Sequence, residues 1–289
     1  MDYPNLKQRT VTAALLVGAL CLLLVFASLA CVFRVLLYGA ALLAIGGAAW
    51  EFSMFAAPRS SNRLLRSAYM LISLAAPSAV VLHTVANYSC SGLPAQAVVA
   101  SVMAGFVASF LLGVSLLVWS GRHSLDEARR TAQEVFLALI LLGFCGASLL
   151  GLTTLMGSPR LLTWLILVVC SNDIAAYFCG VTLGGPKLAA ALSPSKTVSG
   201  AVCGLLVGSG FGYLLYEYLL TQQAGLSGFI FSCAIVLAAQ LGDLSKSYLK
   251  RLHQVKDSGQ LLPGHGGILD RIDGILCAAP LLLACLANR

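Results

Sequence analysis

The chain has 289 residues, of which 59% are apolar and only 10% are Asp, Glu, Lys or Arg; its formal net charge is +7 and its mean hydropathy is +0.90. A soluble domain carries about 25% charged residues, and one this apolar would expose patches larger than water tolerates. Long apolar runs recur from end to end without the two-residue alternation of barrel strands, so both a soluble fold and a β-barrel are excluded and an all-α, polytopic integral membrane protein is expected.

Nine transmembrane spans are predicted, each near the roughly 20 residues that cross the hydrocarbon core. In chain order they are 10–33, 35–55, 65–86, 97–119, 133–155, 161–180, 198–220, 229–248 and 268–286. The first follows a short basic start and resembles a signal peptide, but it lacks a cleavage site. Orientation follows from charge. With the N-terminus cytoplasmic and the spans alternating, 15 of the 18 Lys and Arg lie inside, and only Arg34, Arg160 and Arg289 lie outside. Positive residues favour the cytoplasmic side. The loops 184–197 and 250–267 are then cytoplasmic and the C-terminus is outside. Residues 1–160 read as an N-terminal transmembrane bundle and 161–289 as a C-terminal catalytic region, within one membrane-embedded unit.

Nine of the ten cysteines lie in or beside apolar spans, with no CxxC or Cys/His spacing. They read as small packing residues rather than a disulfide framework or a zinc site. The excess positive charge suits anionic headgroups and phosphates. It does not indicate a nucleic-acid partner, because the basic residues are scattered over several loops.

Ionisable groups in membrane spans are costly unless they are paired or functional. They are Glu51 in span two, Asp173 in span six, Glu217 in span seven, Asp243 in span eight, and Asp270 and Asp273 at the start of span nine. Glu51 and Glu217 read as interfacial or helix-pairing residues. Asp243 shares a helix face with Ser247 and Lys250, at i+4 and i+7. Asp270 and Asp273 share a face in the first turns of their helix, where the dipole favours negative charge.

Between these helices runs the glycine-rich link "PGHGGILDR". Gly264, Gly266 and Gly267 let backbone N–H groups approach an anion. Three converging carboxylates beside basic residues suit Mg²⁺, as one ion or two, together with phosphate oxygens. A plainer alternative has Asp273 capping its helix or pairing with Arg271, and Asp243 pairing with Lys246 or Lys250. His265 is either a hydrogen-bonding loop residue or a phosphate contact, and it has no zinc-type partner. The loop "GGPKLAAALSPSKTVSG" offers Ser193, Ser195 and Thr197 hydroxyls around Pro194, with the charge of Lys196. That set suits phosphates without matching a P-loop.

The run Ser247, Leu249-Lys250-Arg251, Lys256-Asp257, Gly259, Leu262-Pro263, His265-Gly266-Gly267-Ile268 and Asp270-Arg271-Ile272-Asp273 resembles the signature of the phosphatidate cytidylyltransferase (CDP-diacylglycerol synthase) family. So do "NDIAAYFCG", "SPSKT" and the "LKQR" before the first span. The resemblance implies CTP and phosphatidic acid as substrates and CDP-diacylglycerol and pyrophosphate as products, for phospholipid biosynthesis. It also implies Mg²⁺ and a homodimer; the short chain suggests a bacterial inner membrane, and the charge pattern puts the site on its cytoplasmic face.

With the charge pattern, the resemblance gives Asp243, Asp270 and Asp273 as catalytic and metal-binding residues, and Lys250 as catalytic. Substrate binding is expected from Asp173, Ser193, Ser195, Lys196, Thr197, Ser247, Arg251, Lys256, His265, Gly266, Gly267 and Arg271. Three positions depart from the family pattern. Val198 and Ser199 stand where an aromatic residue and a Glu are usual, and Lys246 stands where a Glu is usual. A CTP-dependent polyprenol or phytol kinase is the competing enzyme reading, and it would release CDP. An ion-coupled transporter would show inverted repeats with broken helices in both halves, whereas here the ionisable groups crowd into the C-terminal half.

Overall fold

The computed structural model of the chain describes residues 6–27, 31–56, 63–87, 92–122, 124–155, 157–220, 225–255, 258–259, 261 and 266–287. Over these residues the protein is a bundle of helices with one small hairpin. The helices are α1 (Leu6–Ala27), α2 (Cys31–Ala56), α3 (Arg63–Ala86), α4 (Ala95–Gly121), α5 (Leu125–Leu137), α6 (Cys145–Thr154), α7 (Ser158–Thr182), α8 (Val198–Leu220), α9 (Leu226–Leu252) and α10 (Leu269–Ala287).

Among the described residues seven helical segments are long and apolar enough to cross a membrane, and they lie in α2, α3, α4, the continuous stretch Leu125–Thr154, α7, α8 and α9. The first and last of the nine expected spans correspond to α1 and α10. Val17–Ala27 of α1 is an apolar stretch, and α10 falls short of that measure because it carries Asp270, Arg271 and Asp273 in its 19 residues. The outer surface of the bundle is apolar: Leu43, Leu82 and Leu214 are 77%, 72% and 73% exposed, as lipid contact requires.

The fifth span begins earlier than the hydropathy predicts. Ser124 caps α5, its hydroxyl accepting the Glu127 N–H at 3.0 Å, and Asp126 and Glu127 lie in the first turn. Both features stabilise a helix N-terminus, so an exposed amphipathic turn precedes the apolar part. A π-helical segment, Ala138–Phe144, joins α5 to α6, and the Cys145 N–H donates to Ile140 O.

The stretch read as a polar loop between spans six and seven is instead a hairpin. Strand β1 (Lys187–Ala189) pairs antiparallel with β2 (Ser193–Thr197), with Lys187 opposite Thr197 and Ala189 opposite Ser193. Gly184 and Gly185 take φ of +62° and +101°, a left-handed path that glycine follows without strain. The Val198 N–H closes the base of the hairpin on Pro186 O at 2.9 Å.

Helix α8 starts directly from β2. Gly200, Gly204, Gly208 and Gly212 recur at every fourth residue along it, all buried. Small residues at this spacing let two membrane helices approach closely, and here the partner is α7. A Cβ at Gly200 would lie 2.6 Å from Ala176 O, and one at Gly204 would lie 2.6 Å from Asn172 Oδ1. The Trp164 indole N–H donates to Gly212 O at 2.9 Å in the same seam. Cys179 and Cys203 are joined by a disulfide across it, which corrects the reading of all the cysteines as unpaired packing residues.

Candidate active site

Helices α9 and α10 bring the three expected carboxylates together. Gly242 sits at their crossing, where an added Cβ would lie 2.6 Å from Asp273 O and 2.8 Å from Cys277 Cβ. The next residue is Asp243. One helical turn further, the Lys246 ammonium lies 3.0 Å from Asp243 Oδ1, 2.5 Å from Asp273 Oδ2 and 3.7 Å from Asp270 Oδ1. Lys250 lies 3.0 Å from Asp270 Oδ1. Lys196, near the end of β2, pairs with Asp243 Oδ2. Three carboxylates thus alternate with three ammonium groups. Lys246, Asp270 and Asp273 are only 12–14% exposed at the side chain, so the pairs are weakly screened by water.

A second layer fixes the start of α10. Glu51 of α2 is 2% exposed. Its carboxylate accepts the Ile268 N–H at 2.9 Å and the Leu269 N–H at 3.0 Å. These donors belong to the entry of the helix, where backbone N–H groups lack intrahelical partners, and the negative charge complements the helix dipole. Ser258 links this cap to the cluster. Its hydroxyl is 3.3 Å from Glu51 Oε2, and its N–H and hydroxyl each lie 3.0 Å from Asp270 Oδ2. Position 267 admits only glycine, because a Cβ there would lie 2.6 Å from Glu51 Oε2. Glu51→Ala strips both acceptors. It is expected to destabilise the protein by about 1–3 kcal/mol, read as a lower unfolding midpoint in detergent. An unchanged midpoint would show that the start of α10 does not depend on Glu51.

On the other side of Asp243 a cleft of about 360 Å³ opens between α7, the hairpin, α8 and α9. Asp173, Ser195, Lys196, Thr197 and Asp243 line its polar part, and Tyr177, Val181 and Leu188 line its apolar part. The Gln240 amide donates to Asn172 Oδ1 at 2.8 Å and to Ala201 O at 2.9 Å, and Asn172 donates to Asp173 Oδ1 at 2.9 Å. Thr197 Oγ1 accepts the Gly200 N–H at 3.1 Å, so one residue caps α8 and borders the cleft.

The family model described as "Cytidylyltransferase family" matches residues 7–288. The chain belongs to the cytidylyltransferase family. It is 31% identical to a phosphatidate cytidylyltransferase of Haemophilus influenzae, over 95% of this chain and 96% of that protein. It is 45% identical to the phosphatidate cytidylyltransferase of Brucella suis over 143 residues, which cover 48% of this chain and 53% of that protein. A Rickettsia bellii protein of the same name is 41% identical over 46% of this chain and 62% of its own length. The chain thus spans about half the length of the Brucella relatives that it matches.

In this chain several expected site residues lie apart from the cleft. The Ser247 hydroxyl donates to Asp243 O at 2.8 Å, within its own helix. Arg251 donates to Leu192 O at 3.1 Å and ties the end of α9 to the hairpin. Ser193 is 3.5 Å from Ser195 through their hydroxyls, and Arg271 is exposed on α10. Gly266 takes φ of +80° on the way into α10. Lys256 and His265 lie outside the described residues.

Three contributors were not anticipated. Glu51 caps α10 from a distant helix. The Asn172–Gln240 pair lines the cleft. Glu134 of α5 pairs with His253 at 3.0 Å and so holds the end of α9. Glu51 and Glu134 each had a signal in the sequence, as an acid within a predicted span. The Asn172–Gln240 pair depends on how α7, α8 and α9 pack.

The carboxylates do not fit a divalent ion as they stand. Each has an ammonium against it, and both Asp243 oxygens are taken by lysines. Among the described residues no group of three or more His, Cys, Asp or Glu is disposed to hold a metal.

Proposed function

We propose that the protein transfers the cytidylyl group of CTP to phosphatidate, giving CDP-diacylglycerol and pyrophosphate, at the cytoplasmic face of a bacterial inner membrane. One observation supports this most. The cleft runs from the apolar side chains of Tyr177, Val181 and Leu188 to Lys196 and Asp243. An acyl-bearing phosphate and a nucleotide triphosphate can therefore meet at one charged end.

A phosphatidate oxygen attacks the α-phosphorus of CTP. The new P–O bond forms as the bond to the bridging β-phosphate oxygen breaks, and that electron pair leaves with pyrophosphate. The attacking monoester has a second pKa of about 6, so it is already ionised near neutral pH and needs no base. The protein's task is position and charge. Lys196 borders the cleft and can exchange its Asp243 partner for a phosphate oxygen. Lys246 and Lys250 are held in fixed places by Asp243, Asp270 and Asp273, and fixed positive charge stabilises a phosphoryl-type transition state without reorganisation. CTP enters as its magnesium complex, and that ion belongs to the substrate.

Purified protein given CTP and phosphatidate in mixed micelles is expected to release pyrophosphate only when both are present. Release of CDP in place of pyrophosphate would replace this reading with a lipid kinase.

A further inference from the structure

We propose that Lys246 is the resident cation of the carboxylate cluster, and that the protein without nucleotide holds no divalent ion there. The inference rests on the reading of this cluster as the transfer site.

The geometry is specific to this residue. Lys246 is the one described cation that reaches oxygens of all three carboxylates, at 3.0, 2.5 and 3.7 Å. Lys196 pairs with Asp243 alone and Lys250 with Asp270 alone. A divalent ion bound by these aspartates needs oxygens at about 2.0–2.1 Å in an octahedral shell. The space between the three carboxylates is where such an ion would gain most, and the ammonium of Lys246 stands in it.

The lysine is also tethered. It lies three residues after Asp243 on α9, so its charge cannot diffuse away as a metal ion can. Its side chain is 12% exposed, which keeps the charge close to its partners and away from solvent. The Lys246 ammonium also lies 3.5 Å from Asp270 O, a contact that a methylene chain of this length reaches only by pointing into the cluster.

Charge balance gives the same answer. Asp243, Asp270 and Asp273 carry three negative charges, and Lys196, Lys246 and Lys250 carry three positive ones. A divalent ion added to this paired, partly dry set would have to displace an ammonium already seated on each carboxylate. The polyphosphate of a nucleotide removes that obstacle, because it arrives with its own negative charge and its own metal. Lys246 thus makes metal entry conditional on nucleotide entry.

Mn²⁺ titration of the full chain in a non-ionic detergent, without nucleotide, tests this through the paramagnetic resonance signal of free Mn²⁺. Wild-type protein is expected to bind no stoichiometric Mn²⁺. Lys246→Gln is expected to gain one ion per chain, at least about tenfold tighter than any wild-type binding, and Asp273→Asn in that background should remove it. A wild-type protein that binds one Mn²⁺ per chain, lost in Asp273→Asn, overturns the proposal. This arm needs no Lys246 variant to fold. A folded Lys246→Gln protein with no added ion overturns it too. The titration contains no CTP or lipid, so its failure leaves cytidylyl transfer standing. Failure of pyrophosphate release would leave what the titration shows of Lys246 intact.

Discussion

Asp243→Asn is expected to lower the rate of pyrophosphate release by at least about a hundredfold, the size of effect seen when one preorganised charged or hydrogen-bonding group is lost. Asp243 is the only one of the three carboxylates that also lines the cleft. Its two oxygens hold two different lysines, Lys196 from the hairpin and Lys246 from its own helix. Asparagine keeps the shape and one acceptor but loses the charge. Both ammonium groups then lose their fixed partner and move among solvent, Asp273 and incoming phosphate.

The expected signature is a fall in kcat with a modest change in the KM for CTP, because the lysines remain present but are no longer aimed. Asp243 is more exposed than its neighbours, at 36% against 12% and 14% for Asp270 and Asp273. The unfolding midpoint should therefore change little. Asp270→Asn is the contrast. It disturbs Lys250 and both bonds from Ser258, so activity and stability should fall together. Full activity in Asp243→Asn would remove this aspartate from the reaction.

Much of this was legible in the chain because a membrane makes charge conspicuous. Asp243, Asp270 and Asp273 stand out against apolar neighbours, and the helix periodicity that puts them on inner faces is local. The partners of those carboxylates were harder. Lys246 broke the family pattern and was read at most as a partner of Asp243, a pair that the structure contains; nothing local says that a lysine at i+3 also reaches Asp270 and Asp273.

Glu51 was read as an interfacial or helix-pairing residue. Its actual partners, the N–H groups of Ile268 and Leu269, are more than two hundred positions away in the sequence, and only the packing of α2 beside α10 reveals them. The hairpin was missed for a different reason. β1 and β2 have 3 and 5 residues, too short for alternation to register, and "SPSKT" reads as turn chemistry. The glycines of α8 were visible but went unread, because glycine in a membrane span is common and only its four-residue recurrence carries information.

That recurrence sets up the second large effect. Gly204→Val is expected to lower the unfolding midpoint sharply and to abolish pyrophosphate release, whereas Gly210→Val on the same helix should do neither. At Gly204 the new Cβ meets Asn172 Oδ1 at 2.6 Å, Asn172 O at 2.9 Å and the Ala176 Cβ at 3.1 Å. Two of these are α7 backbone or its immediate neighbour, which cannot rotate aside, so α7 and α8 must separate. Overpacking of this kind costs about 1–3 kcal/mol and sometimes more.

The damage does not stop at packing. Asn172 Oδ1 accepts from Gln240, and that bond ties α9, the helix of Asp243 and Lys246, to α7. Pushing Asn172 away opens the cleft wall and leaves the Gln240 amide with Ala201 O alone. At Gly210 a Cβ would meet no atom within 4 Å, so the space beside it is open. Valine there exchanges a flexible residue for an apolar one and can even stabilise the helix. The pair separates two explanations of the glycine-rich α8. If both valines are harmless, the spacing is composition without consequence. If only Gly204→Val fails, close approach of α7 and α8 is what builds the cleft.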